Sequence, residues 1–153
     1  MIPFHLACPE IAARETRSLI VGPGPGLPVG EYAYLEFYCP DSGCDCRRVF
    51  IQVVSSDHPK PVLASINFGW ERESFYQRKM PYDPEAPRQI TRGCLDPMNE
   101  QSEHASFLLT LFQDIVADER YRLRLKRHYR QFKHFVTSRA AEASAVDPAT
   151  PKA

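Results

Sequence analysis

Eight consecutive residues, Tyr32-Ala-Tyr-Leu-Glu-Phe-Tyr-Cys39, constrain this chain more than any other segment. They alternate with period two, setting Ala33, Leu35, Phe37 and Cys39 on one face and Tyr32, Tyr34, Glu36 and Tyr38 on the other. That is the repeat of a half-buried strand, and a helix does not sustain it. A strand needs partners, and two more runs offer them. Pro40-Asp-Ser-Gly43 has turn composition, and Arg47 to Ser55 beyond it is rich in β-branched and aromatic residues. Asp57-His-Pro-Lys-Pro61 leads to a third run, Val62 to Trp70, with Ala64, Ile66, Phe68 and Trp70 on one face. The economical assembly is a small three-stranded antiparallel sheet, a meander.

Around this sheet the pattern changes. Val21-Gly-Pro-Gly-Pro-Gly-Leu-Pro-Val29 excludes a regular helix or central strand, so residues 1–30 read as a Pro/Gly-rich arm. Its glycines are followed by no Lys-Ser/Thr pair, which removes a phosphate-binding loop. Residues 71–99 are charged and broken by Pro81, Pro84, Pro87 and Pro97, with one helical turn at Glu73 to Gln77. The stretch 78–99 is then a long Pro-rich loop. From Ser102, an N-cap candidate, Phe107, Leu108, Leu111, Phe112, Ile115 and Val116 recur at helical spacing. The pattern bends at Ala117 to Glu119 and resumes through Tyr121, Leu125, His128, Tyr129, Phe132 and Val136. The fold class is therefore α+β: the meander, the loop and a C-terminal helical pair covering one face. With 153 residues, 43% of them hydrophobic, residues 31–139 can form a single domain that needs no disulfides. Residues 140–153, alanine-rich with two prolines, read as a disordered tail.

The formal net charge is zero, with 19 basic and 19 acidic residues, which excludes a chain basic or acidic throughout. Neutrality is a cancellation, however. Met1 to Asp118 carries −6, Glu119 to Arg139 carries +7, and the remainder −1. The basic stretch could be a solvated helix face, or a surface for nucleic acid or another polyanion through Arg120, Arg124, Arg127, Arg130 and Lys133. No run reaches the length of a membrane span and no leader precedes the first strand, so the expectation is a cytoplasmic protein without a membrane partner.

Three of five cysteines lie within eight residues: Cys39, Cys44 and Cys46. A zinc ion needs its thiolates about 2.3 Å from one centre, and a tight return is one of few ways that nearby cysteines converge on such a point. Pro40 and Gly43 permit that return. A fourth ligand would come from Cys94, His128, His58 or His104, with Cys8 a weaker choice on its arm. Buried inert thiols and a redox-active Cys-x-Cys are the other readings; Asp45 opposes a neighbouring thiolate, whereas Arg47 and Arg48 favour one. His128, sharing a helical face with Leu125, Tyr129 and Phe132, also fits a hydrogen-bonded histidine at the core edge. No catalytic motif stands out.

The segments Glu31-Tyr-Ala-Tyr-Leu-Glu-Phe-Tyr-Cys-Pro-Asp-Ser-Gly-Cys-Asp-Cys-Arg-Arg48, Ala64-Ser-Ile-Asn-Phe-Gly-Trp-Glu71 and Arg127-His-Tyr-Arg-Gln-Phe132 resemble a group of bacterial proteins of unknown function. Some members carry an added cysteine-rich zinc motif of the SEC-C type, absent here. The resemblance implies a bacterial cytosolic protein and gives the three hairpin cysteines weight as a unit, but it brings no activity, and Cys94 lies outside the matching segments. The expectation is a non-enzymatic binding or scaffolding module, zinc-stabilised through those cysteines, for an unidentified protein partner or polyanion. The alternatives are a thiol-redox or metal-dependent enzyme using the same cluster, and nucleic-acid binding by the basic helix.

Overall fold

The computed structural model describes residues 1–146, with side chains as far as Glu142. The three expected strands are present as β3 (Gly30–Tyr38), β4 (Arg48–Val54) and β5 (Ala64–Gly69), antiparallel throughout. The sheet nevertheless has six strands, not three. β1 (Ile2–Pro3) pairs with Phe37 and Tyr38, and β2 (Arg17–Val21) pairs with Gly30 to Tyr34, both on the edge of β3 away from β4. β6 (Cys94–Leu95) extends the opposite side by pairing with Ile66 and Asn67 of β5. The segment read as an arm therefore delivers two edge strands, with α1 (Phe4–Ala7) and α2 (Pro9–Glu15) between them. The helical turn expected at Glu73 to Gln77 is present as α3 (Glu73–Lys79), and the Pro-rich stretch after it holds more structure than a loop, with α4 (Ala86–Arg92) and β6. Pro87 sits in the first turn of α4, where a missing amide donor costs nothing.

The helical pair is α5 (Ala105–Ala117) and α6 (Glu119–Val146), broken at Asp118 as the sequence indicates. Asp118 leaves the helical region, and its Oδ1 accepts the Arg120 amide (2.9 Å), opening α6. Helix α5 starts one residue after His104, not at Ser102; the Ser102 hydroxyl accepts the His104 amide instead. Helix α6 continues through residues 140–146; the rest of the expected disordered tail, 147–153, lies outside the described residues.

Both faces of the sheet matter, and the one against α5 and α6 is the tyrosine face. Tyr32, Tyr34 and Tyr38 are essentially inaccessible, whereas Ala33, Leu35 and Phe37 are only partly covered. Cross-strand rows complete this inner layer: Tyr34 lies beside Val53 and Ala64, Glu36 beside Ile51 and Ile66, and Val49 beside Phe68. Tyrosine can fill a core if its hydroxyl finds an acceptor. Here the helices supply acceptors, since Tyr34 donates to the Leu108 carbonyl (3.2 Å) and Tyr38 to the Leu125 carbonyl (3.3 Å). The hydroxyls thus lock the helical layer in register with the sheet.

On the opposite face α3 and α4 close over the end of β5. Tyr76 and Ile90 are buried there, apart from the main core, and Tyr76 donates to the Arg47 carbonyl (2.7 Å). Gly69 makes this approach possible. A Cβ at that position would lie 2.4 Å from the Tyr76 ring and 2.8 Å from Ile90 Cγ2. Gly69→Ala should therefore destabilise the fold by about 1–3 kcal/mol, read from the urea midpoint. A change below about 0.5 kcal/mol would show that α3 shifts freely, contrary to this packing.

Candidate metal centre and its surroundings

The β3–β4 connection is short, tight and held from both sides. The Asp41 carboxylate accepts the Gly43 amide (2.8 Å) and its carbonyl accepts the Cys44 amide (3.2 Å), folding the chain back after Cys39. Arg47, a non-glycine residue in the left-handed region at φ 49°, makes the second reversal. Such a backbone costs on the order of 1 kcal/mol and needs surrounding contacts to persist. Those contacts are present. Arg47 Nε meets Asp45 Oδ1 (2.8 Å), Nη1 lies 3.5 Å from Glu71, the guanidinium covers the Phe75 ring, and Tyr76 holds the carbonyl. From α6, Lys133 Nζ donates to the carbonyls of Asp41 (2.6 Å) and Cys39 (3.2 Å), while Tyr129 donates to that of Cys44 (3.5 Å).

The result is convergence of three thiols. The sulfur atoms of Cys39, Cys44 and Cys46 all lie within 4.8 Å of one another, close enough to hold a metal ion. Tetrahedral zinc with 2.3 Å bonds sets its thiolates about 3.8 Å apart, so contraction by no more than about 1 Å forms the triangle. Among the described residues no other group of three or more His, Cys, Asp or Glu side chains is so placed. Burial first, then the charges and hydrogen bonds of its two neighbouring thiols, push Cys44 up to about 11. A crowded thiol such as Cys44 that resists ionisation is what a divalent cation relieves, because it takes the thiolates and expels their protons. The same shift opposes Cys44 as the attacking thiol of the redox alternative, which requires ionisation near neutrality. Arg47 offers the thiols little help, since its guanidinium is engaged with Asp45 and Glu71.

None of the expected fourth ligands joins this triangle. Cys94 lies on β6, three strands across from β3, which is about 14 Å at ordinary strand spacing. Its register row passes through Asn67, Phe50 and Phe37, short of the hairpin end. His58 and His104 stack edge to face at 5.8 Å beside the β4–β5 connection, at the other end of the strands. Cys8 lies between α1 and α2. His128 is fully buried with both ring nitrogens taken, Nδ1 by Glu36 Oε2 (2.8 Å) and Nε2 by Glu15 Oε2 (3.0 Å). The core-edge histidine reading describes it better than a ligand does, with two carboxylates as partners that its own helix does not reveal.

The expected polyanion residues divide. Arg124 and Arg127 turn onto Glu15, Arg124 Nε at 3.7 Å and Arg127 in direct contact, and Arg124 also donates to the Glu15 carbonyl. Lys133 is held by the hairpin carbonyls. Arg120 and Arg130 remain exposed. No helix among the described residues is long and apolar enough to cross a membrane.

Comparison with known protein families finds no match, and neither does comparison with curated proteins or with solved structures. Any functional reading therefore rests on the geometry of the site.

Glu15 gathers His128, Arg127 and Arg124, and this sets a pH dependence. Partial desolvation raises its carboxyl, but the His128 hydrogen bond and the three positive partners outweigh it and hold the group below its ordinary 4.5. A depressed carboxyl stabilises the fold above its unfolded value, and that contribution is lost as pH falls through the folded one. Stability should accordingly drop on acidification below about pH 4.5, and Glu15→Gln should flatten that part of the curve. Parallel curves for the two proteins would remove Glu15 from the acid response.

Proposed function

We propose that the chain is a non-enzymatic binding module whose β3–β4 hairpin is held by a zinc ion on Cys39, Cys44 and Cys46. The convergence of three thiols within 4.8 Å carries this reading. Such a ligand set favours a borderline-soft cation over calcium or magnesium, which take oxygen. The fourth position falls to water or to a group from a binding partner. Three thiolates around a divalent ion leave one negative charge, and the ammonium of Lys133, anchored on the Cys39 carbonyl, lies on hand to offset it. Several exposed residues, Asp41, Ser42, Gly43 and Asp45, crown the hairpin and form the surface that the ion would stiffen. The binding role is favoured over catalysis because no His, Asp or Glu among the described residues joins the sulfur triangle as an acid or base. The raised Cys44 thiol in addition makes that residue a poor nucleophile.

Metal analysis of the protein, purified without chelator and then titrated with zinc, tests the reading. One zinc per chain is expected, with Cys39→Ser, Cys44→Ser and Cys46→Ser each weakening binding by at least about a hundredfold and Cys8→Ser and Cys94→Ser leaving it intact. Affinity should climb with pH, because protons leave the thiols on binding and Cys44 starts from about 11. A zinc ratio near zero with all five thiols freely titratable would overturn it. Removing the ion should also speed hydrogen exchange across residues 39–47 while β4 and β5 stay protected. Uniform loosening of the whole sheet would contradict a role confined to the hairpin.

A further inference from the structure

A second site lies where the sheet edge is interrupted. β1 covers Phe37 and Tyr38, β2 covers Gly30 to Tyr34, and Leu35 and Glu36 between them have no strand partner on that edge. Amide groups of successive strand residues point to opposite sides, so one of these two residues directs its N–H and C=O into the gap. Helices α1 and α2 bridge above it, leaving a cavity of about 400 Å³ lined by Phe4, Ala12, Ala13, Leu35, Glu36 and His128 among others. That volume lies in the range of small-molecule pockets, which are mostly apolar with a few convergent polar groups.

Beside His5, Thr16 and His128, the polar lining includes a buried carboxylate used on one side only. Glu36 is 6% exposed. Its Oε2 accepts both the Tyr38 hydroxyl (2.7 Å) and His128 Nδ1 (2.8 Å), and the His128 ring is fixed in turn by Phe4 stacked at 4.5 Å. Oε1 accepts no hydrogen bond from any described residue, yet it is not among the fully sealed polar atoms without partners. The cations nearby, Arg124 and Arg127, are turned to Glu15. A carboxylate oxygen only accepts, so it is met by water or by a donor within the cavity. An occupant that donates from a positive nitrogen and lays an apolar body on Phe4, Ala12 and Leu35 makes a charge-assisted hydrogen bond there in place of that water.

The geometry points to the notch between β1 and β2 as a binding site for a small primary amine with an apolar body, held by the free oxygen of Glu36. This site is separate from the cysteine hairpin and stands without it.

Titration of the full-length chain with 2-phenylethylamine, followed by amide chemical shifts, tests it against phenylacetate and 2-phenylethanol. Saturable shifts at Ala12, Ala13 and Leu35 are expected with the amine, half-saturating below about 10 mM for a ligand of this size. The acid and the alcohol should bind at least about tenfold more weakly, and Glu36→Gln should weaken the amine by a similar factor. Because Glu36 also holds Tyr38 and His128, that variant can lose its fold. Ala13→Trp supplies the second arm, since Ala13 is exposed at the cavity wall and an indole there fills the space without entering the core. No saturable response to the amine, equal binding of the acid or alcohol, or undiminished binding by Ala13→Trp overturns the proposal. Loss in Ala13→Trp with the fold retained supports it whatever the behaviour of Glu36→Gln.

Discussion

The hydrogen-bonded chain from Glu15 through His128 to Glu36 ties together three parts of the molecule that no local force would join. It links α2, α6 and β3, and it runs through a ring with no solvent exposure of consequence. Charges so deeply placed are tolerated only when paired on every side, because an isolated one costs several kcal/mol. A ring hydrogen-bonded at both nitrogens to two carboxylates meets that condition, and Tyr38 adds a further donor to Glu36. Seating His128 also sets the rotation of α6. Tyr129 and Lys133, on the same helix, then reach the hairpin carbonyls and hold the loop that brings the cysteines together. The sulfur triangle and the cavity at the split edge are thus two ends of one arrangement, three residues apart along the chain from Glu36 to Cys39.

Much of the central sheet could be read in advance, and the reason is physical. In β3, β4 and β5 the side chains alternate or are β-branched over six residues or more, long enough for period two to stand out. Which face of β3 would be buried could not be read so, because tyrosine serves both in a core and at a surface. The decision lay with carbonyls on α5 and α6, at Leu108 and Leu125, far away in sequence. Two-residue strands such as β1 and β6 leave no periodic trace at all, and they exist only because a longer neighbour offers an edge. Pro87 hid α4 by suggesting a break where it forms the first turn.

The sites show the same division. The hairpin cysteines are close in sequence and close in space, so turn composition sufficed to group them. Cys94 and His128 were candidates by residue type alone, and their positions depend on an edge strand and on two distant carboxylates. The charge pattern likewise resolves into particular pairs. Glu15 absorbs Arg124 and Arg127, and Lys133 is spent on carbonyl groups rather than acids. The opposite charges of the two halves therefore form ion pairs at Glu15, and elsewhere they face each other more loosely, as Lys126 and Arg130 do with Asp45 and Glu71 around one surface cavity.

The contact of Glu15 with His128 spans 113 residues, whereas β3, β4 and β5 pair with their immediate neighbours in sequence. Closing so large a loop is entropically dearer than closing a hairpin, so the meander can assemble while the older end of the chain still waits. During synthesis, Glu15 leaves the ribosome long before its imidazole exists. Until α6 emerges, β2 can already pair with β3, its neighbour in sequence, but the tyrosine face of the sheet lacks its helical cover, and an apolar face so exposed is the kind of surface to which a chaperone or a second nascent chain adheres.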